Sequence, residues 1–168
     1  MQSNSAFDFE SAYGGYADGL YCFCLRLVGS SQDAEDVVQE TFLAAIAGRE
    51  RFAGRSSEST WLFRIARNRA YKLLRRRKLE RLFTLRSEAQ TEPSEALALA
   101  DSVMSLPLKA REAFVLVKVE GLSAAEAGAI LGVPEGTVRF RVHLAVKSLR
   151  SSWIEGEVAT NKGVTNAV

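Results

Sequence analysis

The sequence predicts an all-α chain of two small helical domains joined by a flexible linker. Three observations predict it. Apolar residues recur at intervals of three and four instead of alternating, which is the period of a helix with one buried side. Gly and Ser stand where those runs stop, as helix ends require. The period then vanishes over residues 84–93 (TLRSEAQTEP), which read as a linker. A length of 168 residues accommodates two small domains, and 47% hydrophobic against 25% charged residues excludes a disordered chain.

The elements follow in order. Phe9, Tyr13, Tyr16, Leu20, Phe23 and Leu27 form the stripe of a first helix that Gly29 ends. Ser30 or Ser31 caps a second helix, with Val37, Val38, Phe42, Leu43 and Ile46 as its inner face and acids in its first turn, where the macrodipole favours them. Residues 48–60 (GRERFAGRSSEST) read as a loop. A third helix is expected from about Trp61 to about Phe83, with Leu62, Ile65, Ala66, Ala70, Leu73 and Leu74 turned inward. Beyond the linker, Ser94 caps a helix through about Met104, and Pro107 opens another that Gly121 stops. Ser123-Ala124-Ala125-Glu126 is a capping box for a short helix ending at Gly132. Pro134 starts a final helix to about Trp153, and the tail from Gly156 is expected to fray.

Charge is strongly segregated. Residues 8–40 hold seven acids and one base, whereas residues 64–81 hold nine bases and one acid. Two partners of opposite charge are implied, one basic and one polyanionic. On the third helix Arg64, Asn68, Lys72, Arg75 and Arg76 share one face able to neutralise phosphates. Phe52 and Trp61 bracket the neighbouring loop and are candidates for stacking on unpaired bases. Between Gly121 and Arg150, a capped helix, a Gly-Val-Pro turn and a basic helix form a helix-turn-helix. Its second helix carries Thr137, Arg139, Phe140, Arg141 and His143 on the turns that enter a major groove, where Arg reads guanine and Phe meets a thymine methyl.

Other chemistry is disfavoured. No apolar run approaches the roughly 18 residues of a membrane span, and Met1-Gln2-Ser3-Asn4 lacks the basic flank and apolar stretch of a signal peptide, so a cytoplasmic protein is expected. Cys22 and Cys24 lie about 200° apart around a helix, too far to share a metal, and the single His143 has no ligand cluster beside it. No paired carboxylates and no phosphate-cradling glycine loop are present, so no metal, no cofactor and no catalytic residue is expected.

Three blocks carry a resemblance: DAEDVVQETFLAA (33–45), FAGRSSESTWLFRIARNRAYKLLRRRK (52–78) and LPLKAREAFVLVKVEGLSAAEAGAILGVPEGTVRFRVHLAVKSLR (106–150). In this order they resemble the extracytoplasmic-function sigma factors, the smallest alternative sigma subunits of bacterial RNA polymerase. The resemblance implies a first sigma domain over 7–83, a linker over 84–93, a second domain over 94–153 and a tail over 154–168. It implies that Asp33, Glu35, Asp36, Gln39 and Glu40 dock on core RNA polymerase. It assigns Phe52, Ser56, Trp61, Arg64, Asn68, Lys72, Arg75 and Arg76 to the melted minus-ten element of promoter DNA. Thr137, Arg139, Phe140, Arg141 and His143 then read the duplex minus-thirty-five element, and an anti-sigma factor is an expected partner. The chain departs from the family at Leu144 and Val146, where basic residues are usual, and at Phe140, where Ser is common. The rival readings are a dimeric helix-turn-helix regulator, which has no need of the first three helices, and a sigma mimic that binds regulators instead of promoters.

Overall fold

The computed structural model describes residues 8–52, 56–83 and 101–164, and every regular element among them is helical. Helix α1 (Phe9–Val28) ends on Gly29, whose φ of 77° lets its N–H reach back to the Leu25 carbonyl. Ser30 caps α2 (Ser31–Gly48), its hydroxyl accepting from the Asp33 N–H. A single 3-10 turn over Arg49–Arg51 follows. Helix α3 (Glu58–Phe83) begins three residues earlier than the apolar period indicates. The cause is Ser57, whose Oγ accepts the Thr60 N–H at 3.1 Å while donating to Thr60 Oγ1 at 2.8 Å.

The expected linker lies outside the described residues, as does the start of the helix expected from Ser94; residues 101–105 are helical. Helix α4 (Leu108–Phe114) widens into a π-helical turn over Val115–Val119, so that Val115 and Leu116 are both fully buried. Gly121 closes it with a φ of 70°. Helix α5 (Ala124–Leu131) has the full capping box, with Ser123 and Glu126 each satisfying the other's backbone N–H. Gly132 ends it in the left-handed region, and α6 (Glu135–Val164) follows. The last helix therefore runs past Gly156, where fraying was expected. One interior glycine costs only about 1 kcal/mol, which the surrounding helical backbone bonds absorb.

Helices α1, α2 and α3 pack as one bundle around Leu20, Phe23, Leu27, Val37, Phe42, Leu62 and Ala66. Helices α4, α5 and α6 form the second, where Leu106, Ala110 and Ala145 make a small cluster of their own. The two bundles touch: α3 packs on α5, and α1 on α4, so one hydrophobic core continues from Phe23 and Phe63 to Ala113, Leu116 and Ile130.

Two expectations for the inner faces need correction. Leu43 is 61% exposed and Ile46 is also exposed, although both were placed inward. At 100° per residue, Leu43 stands a full 100° beyond Phe42 and leaves the arc that Val37, Val38 and Phe42 bury. Phe9 and Tyr13 are exposed at the far end of the α1 stripe for lack of a third helix there.

Candidate nucleic-acid interface

Helix α3 presents Arg64, Asn68, Lys72, Arg75 and Arg76 as an exposed basic face. At its first turn the rings of Phe52 and Trp61 stack with centroids 4.7 Å apart. Gly48 keeps room for this pair, since a Cβ there would contact the indole at 3.5 Å. Trp61 packs against the core by one side while remaining half-exposed, and Ser56 is likewise half-exposed beside it. The base of the loop is thus an aromatic platform next to cations, the composition that binds single strands. Arg64 is also engaged: its Nη2 donates to the Ala129 carbonyl of α5 at 2.6 Å.

The helix-turn-helix is tightly closed. Gly128 makes the approach possible, because a Cβ at that position would lie 2.8 Å from the Val133 carbonyl oxygen. Ala127, Ile130, Leu131 and Val138 are buried between its helices. On α6, Arg139, Phe140 and His143 face solvent together, with Phe140 61% exposed and Thr137 half-buried at their edge. Arg139 pairs with Glu135 one turn earlier. Arg141 does not join this face; it turns inward, and its Nη1 lies 3.5 Å from Glu112 Oε1. Hydrogen bonds from Ser123 hold the Glu126 carboxyl below its ordinary range.

On α2, Glu35, Asp36, Gln39 and Glu40 are exposed, whereas Asp33 is bound to Arg77 of α3. Glu40 lies 3.4 Å from Arg69. These acids border an apolar groove lined by Phe9, Tyr13, Phe42, Leu43 and Ile46, in which Tyr13 and Phe42 have centroids 5.0 Å apart. Sequence reasoning missed the groove by assigning its residues to the core. No group of three or more His, Cys, Asp and Glu suited to a metal occurs among the described residues, and both cysteines are free thiols.

Comparison with known proteins decides the identity of this arrangement. Residues 12–80 match the model for Sigma-70 region 2, and residues 96–149 match that for Sigma-70, region 4. The ECF RNA polymerase sigma factor SigW of Bacillus subtilis (strain 168) is 31% identical over 155 residues, covering 80% of this chain and 83% of SigW. The chain belongs to the extracytoplasmic-function sigma factors. It is an alternative sigma factor that directs transcription initiation, in a family of initiation factors and not of enzymes. The RNA polymerase sigma factor CarQ of Myxococcus xanthus is 34% identical over 151 residues, covering 84% of this chain and 87% of CarQ. Among solved structures, the sigma factor RpoE in complex with the anti-sigma factor NepR from Bartonella quintana aligns with a TM-score of 0.76 at 29% identity, covering 86% of this chain and 95% of that one. CnrH in complex with the cytosolic domain of CnrY aligns at 0.71 with 28% identity and 88% coverage of both.

Where the two domains of this sigma factor meet, sequence reasoning gave no warning of Glu112. Its carboxylate is fully buried and accepts Arg67 Nε at 2.8 Å and the Tyr71 hydroxyl at 2.8 Å, with Arg141 on its other side. Arg67 also lies over the Tyr71 ring, 4.6 Å from the centroid. Burial works against the charged Arg67 guanidinium, but Glu112 outweighs it and leaves that pKa raised. Burial, reinforced by the Glu112 carboxylate, pushes the Tyr71 hydroxyl up to about 12. Arg111 donates to the Leu106 carbonyl at 2.9 Å and to Arg26 and Leu27 carbonyls at 3.4 Å, tying α4 to the end of α1. An arginine in a basic helix and a lone acid in an apolar one were the only available signals, and neither reveals a partner more than 40 residues away.

Proposed function

We propose that this sigma factor docks on core RNA polymerase through Glu35, Asp36, Gln39 and Glu40 of α2, with Asp33 at the rim. The observation that carries the reading is the pairing of exposed acids with an exposed apolar groove on one side of the first domain. Acids supply steering and register, while Leu43, Ile46 and Tyr13 supply the apolar area from which affinity comes. The first domain, residues 7–83, melts and holds the minus-ten strand between the Phe52–Trp61 platform and Arg64, Asn68, Lys72, Arg75 and Arg76. The second, residues 94–153, follows the 84–93 linker and reads the minus-thirty-five duplex with Thr137, Arg139, Phe140, Arg141 and His143; residues 154–168 are a tail without a role in recognition.

The chain performs no chemistry itself; polymerase makes the RNA, in the cytoplasm. Control falls to an anti-sigma factor, a reading supported by the likeness to RpoE and CnrH, both solved with such partners. Transcription in vitro with purified core polymerase, followed by start-site mapping, tests the proposal. Discrete start sites that need the chain are expected. Failure to associate with core polymerase overturns it.

A further inference from the structure

One carboxylate joins both promoter-facing elements of this chain. Glu112 takes two donors from α3, Arg67 and Tyr71, and a third from α6, Arg141. Beside it, the Arg64 guanidinium of the basic face is spent on the Ala129 carbonyl. On the other flank, Glu120 enters a space that only a glycine leaves: a Cβ at Gly19 would lie 2.8 Å from Glu120 Oε2. The first domain and the helix-turn-helix are therefore in direct contact, through the helices assigned to DNA.

That contact is incompatible with reading a promoter. Elements at minus ten and minus thirty-five are about 25 base pairs apart, or roughly 85 Å at about 3.4 Å per pair. A compact chain of this length has a radius of gyration of only about 15 Å. While α3 touches α5, the two elements cannot both be reached. We propose that the structure is a closed, self-masking form of the sigma factor, and that Glu112 is its latch. The inference rests on the assignment of α3 to DNA made above.

The chemistry suits a latch better than a permanent weld. A carboxylate out of water needs its donors, and removing one leaves charge uncompensated. When the domains part, Glu112 keeps Arg141 from its own domain and gains water, so the open form tolerates the charge. Closing, in turn, neutralises Arg67 and occupies Arg64 on the α3 surface. Phosphates compete for the same cations, so promoter DNA favours the open form by mass action.

Two measurements on the full chain test the latch and the masking separately. Small-angle X-ray scattering reads closure, and fluorescence anisotropy with a labelled thymidine oligonucleotide reads access to α3. The wild-type chain is expected near the compact radius. Glu112→Gln is expected to enlarge it by several ångströms at unchanged helicity and to tighten oligonucleotide binding about tenfold, as an increase in the competent fraction would. Should Glu112→Gln fail to fold, Tyr71→Phe removes a single hydroxyl and Gly19→Leu wedges α1 from Glu120; both are expected to expand the chain. An unchanged radius in the folded variants overturns the latch. Expansion without tighter binding overturns the masking. No oligonucleotide binding by any form overturns the α3 assignment beneath both.

Discussion

Arg77 of α3 closes on the carboxylate of Asp33 at the first turn of α2. This pair separates Asp33 from the other acids of its helix, because its side chain is 16% exposed and already partnered. Asp33 thus ties two helices of the first domain together, while Asp36 and its neighbours remain free to meet another protein. A difference in mutational behaviour follows.

Reversing Asp36 and Gln39 to Lys is expected to abolish core polymerase binding with little change in melting temperature, since exposed charges rarely contribute more than about 1 kcal/mol. Asp33→Ala should instead lower stability by about 1 kcal/mol and weaken core binding only modestly. Chemical denaturation beside a polymerase pull-down checks both. Equal core affinity for the double variant and the wild type would sink the docking assignment.

Leu144 is 43% exposed on the same side of α6 as Phe140, so a charge there meets solvent, not core. Leu144→Arg is expected to leave the fold intact and to steepen the salt dependence of duplex binding by up to about 0.9 in log–log slope, the value of one phosphate contact. Arg139→Ala should weaken binding by about 1–3 kcal/mol and relax preference at one base. Salt titrations on minus-thirty-five duplexes and single-base variants separate the two. A slope unaffected by Leu144→Arg would remove that residue from the DNA face.

Glu120 supplies a pH dependence. Burial raises its pKa, with Arg26 offsetting part of the effect, and its Oε1 is buried with no hydrogen-bond partner. The folded state therefore holds the proton more tightly than the unfolded one. Its contribution to stability is fully present below the unfolded carboxylate range and is lost as pH rises through the folded value. Glu120→Gln should flatten the fall in melting temperature between mildly acidic and mildly alkaline buffer. Parallel curves for variant and wild type would exclude Glu120 as the source.

The two cysteines should react very differently. Cys24 is fully buried, and burial, with a smaller effect from Glu120, pushes its thiol up to about 12; Cys22 is half-exposed on the next face of α1. Because the thiolate is the reactive species, a thiol reagent at neutral pH should modify Cys22 first and reach Cys24 only on unfolding. Mass spectrometry of the modified chain locates the label. Rapid modification of Cys24 in the folded protein would show that the α1 core opens readily.

Most of the fold was legible because it is written locally. Gly29, Ser30, Gly121, the Ser123–Glu126 box and Gly132 each act within one turn, so their residue types suffice to place helix ends. The Ser57–Thr60 cap was equally local and was overlooked because apolar spacing alone set the start of α3. Surfaces were legible only as far as charge shows them. The acidic and basic faces stood out, whereas the groove of Leu43 and Ile46 did not, because burial depends on which neighbour an apolar residue meets. Glu112 lay furthest out of reach: its partners come from α3 and α6, and no local pattern records a contact between domains.

The groove beside α2 also bears on how the protein behaves in a test tube. Phe9, Tyr13, Leu43 and Ile46 leave a sticky patch on the partner-free molecule, and patches of this kind drive self-association at high concentration. Glu35 and Asp36, on the border of the same groove, make two copies repel when those patches approach each other. Colloidal stability then depends on ionic strength: salt screens the repulsion within about 10 Å at 0.1 M and leaves the apolar attraction in place. The free sigma factor should store best in dilute, low-salt solution, and concentrating it in high salt should precipitate it before heat unfolds it.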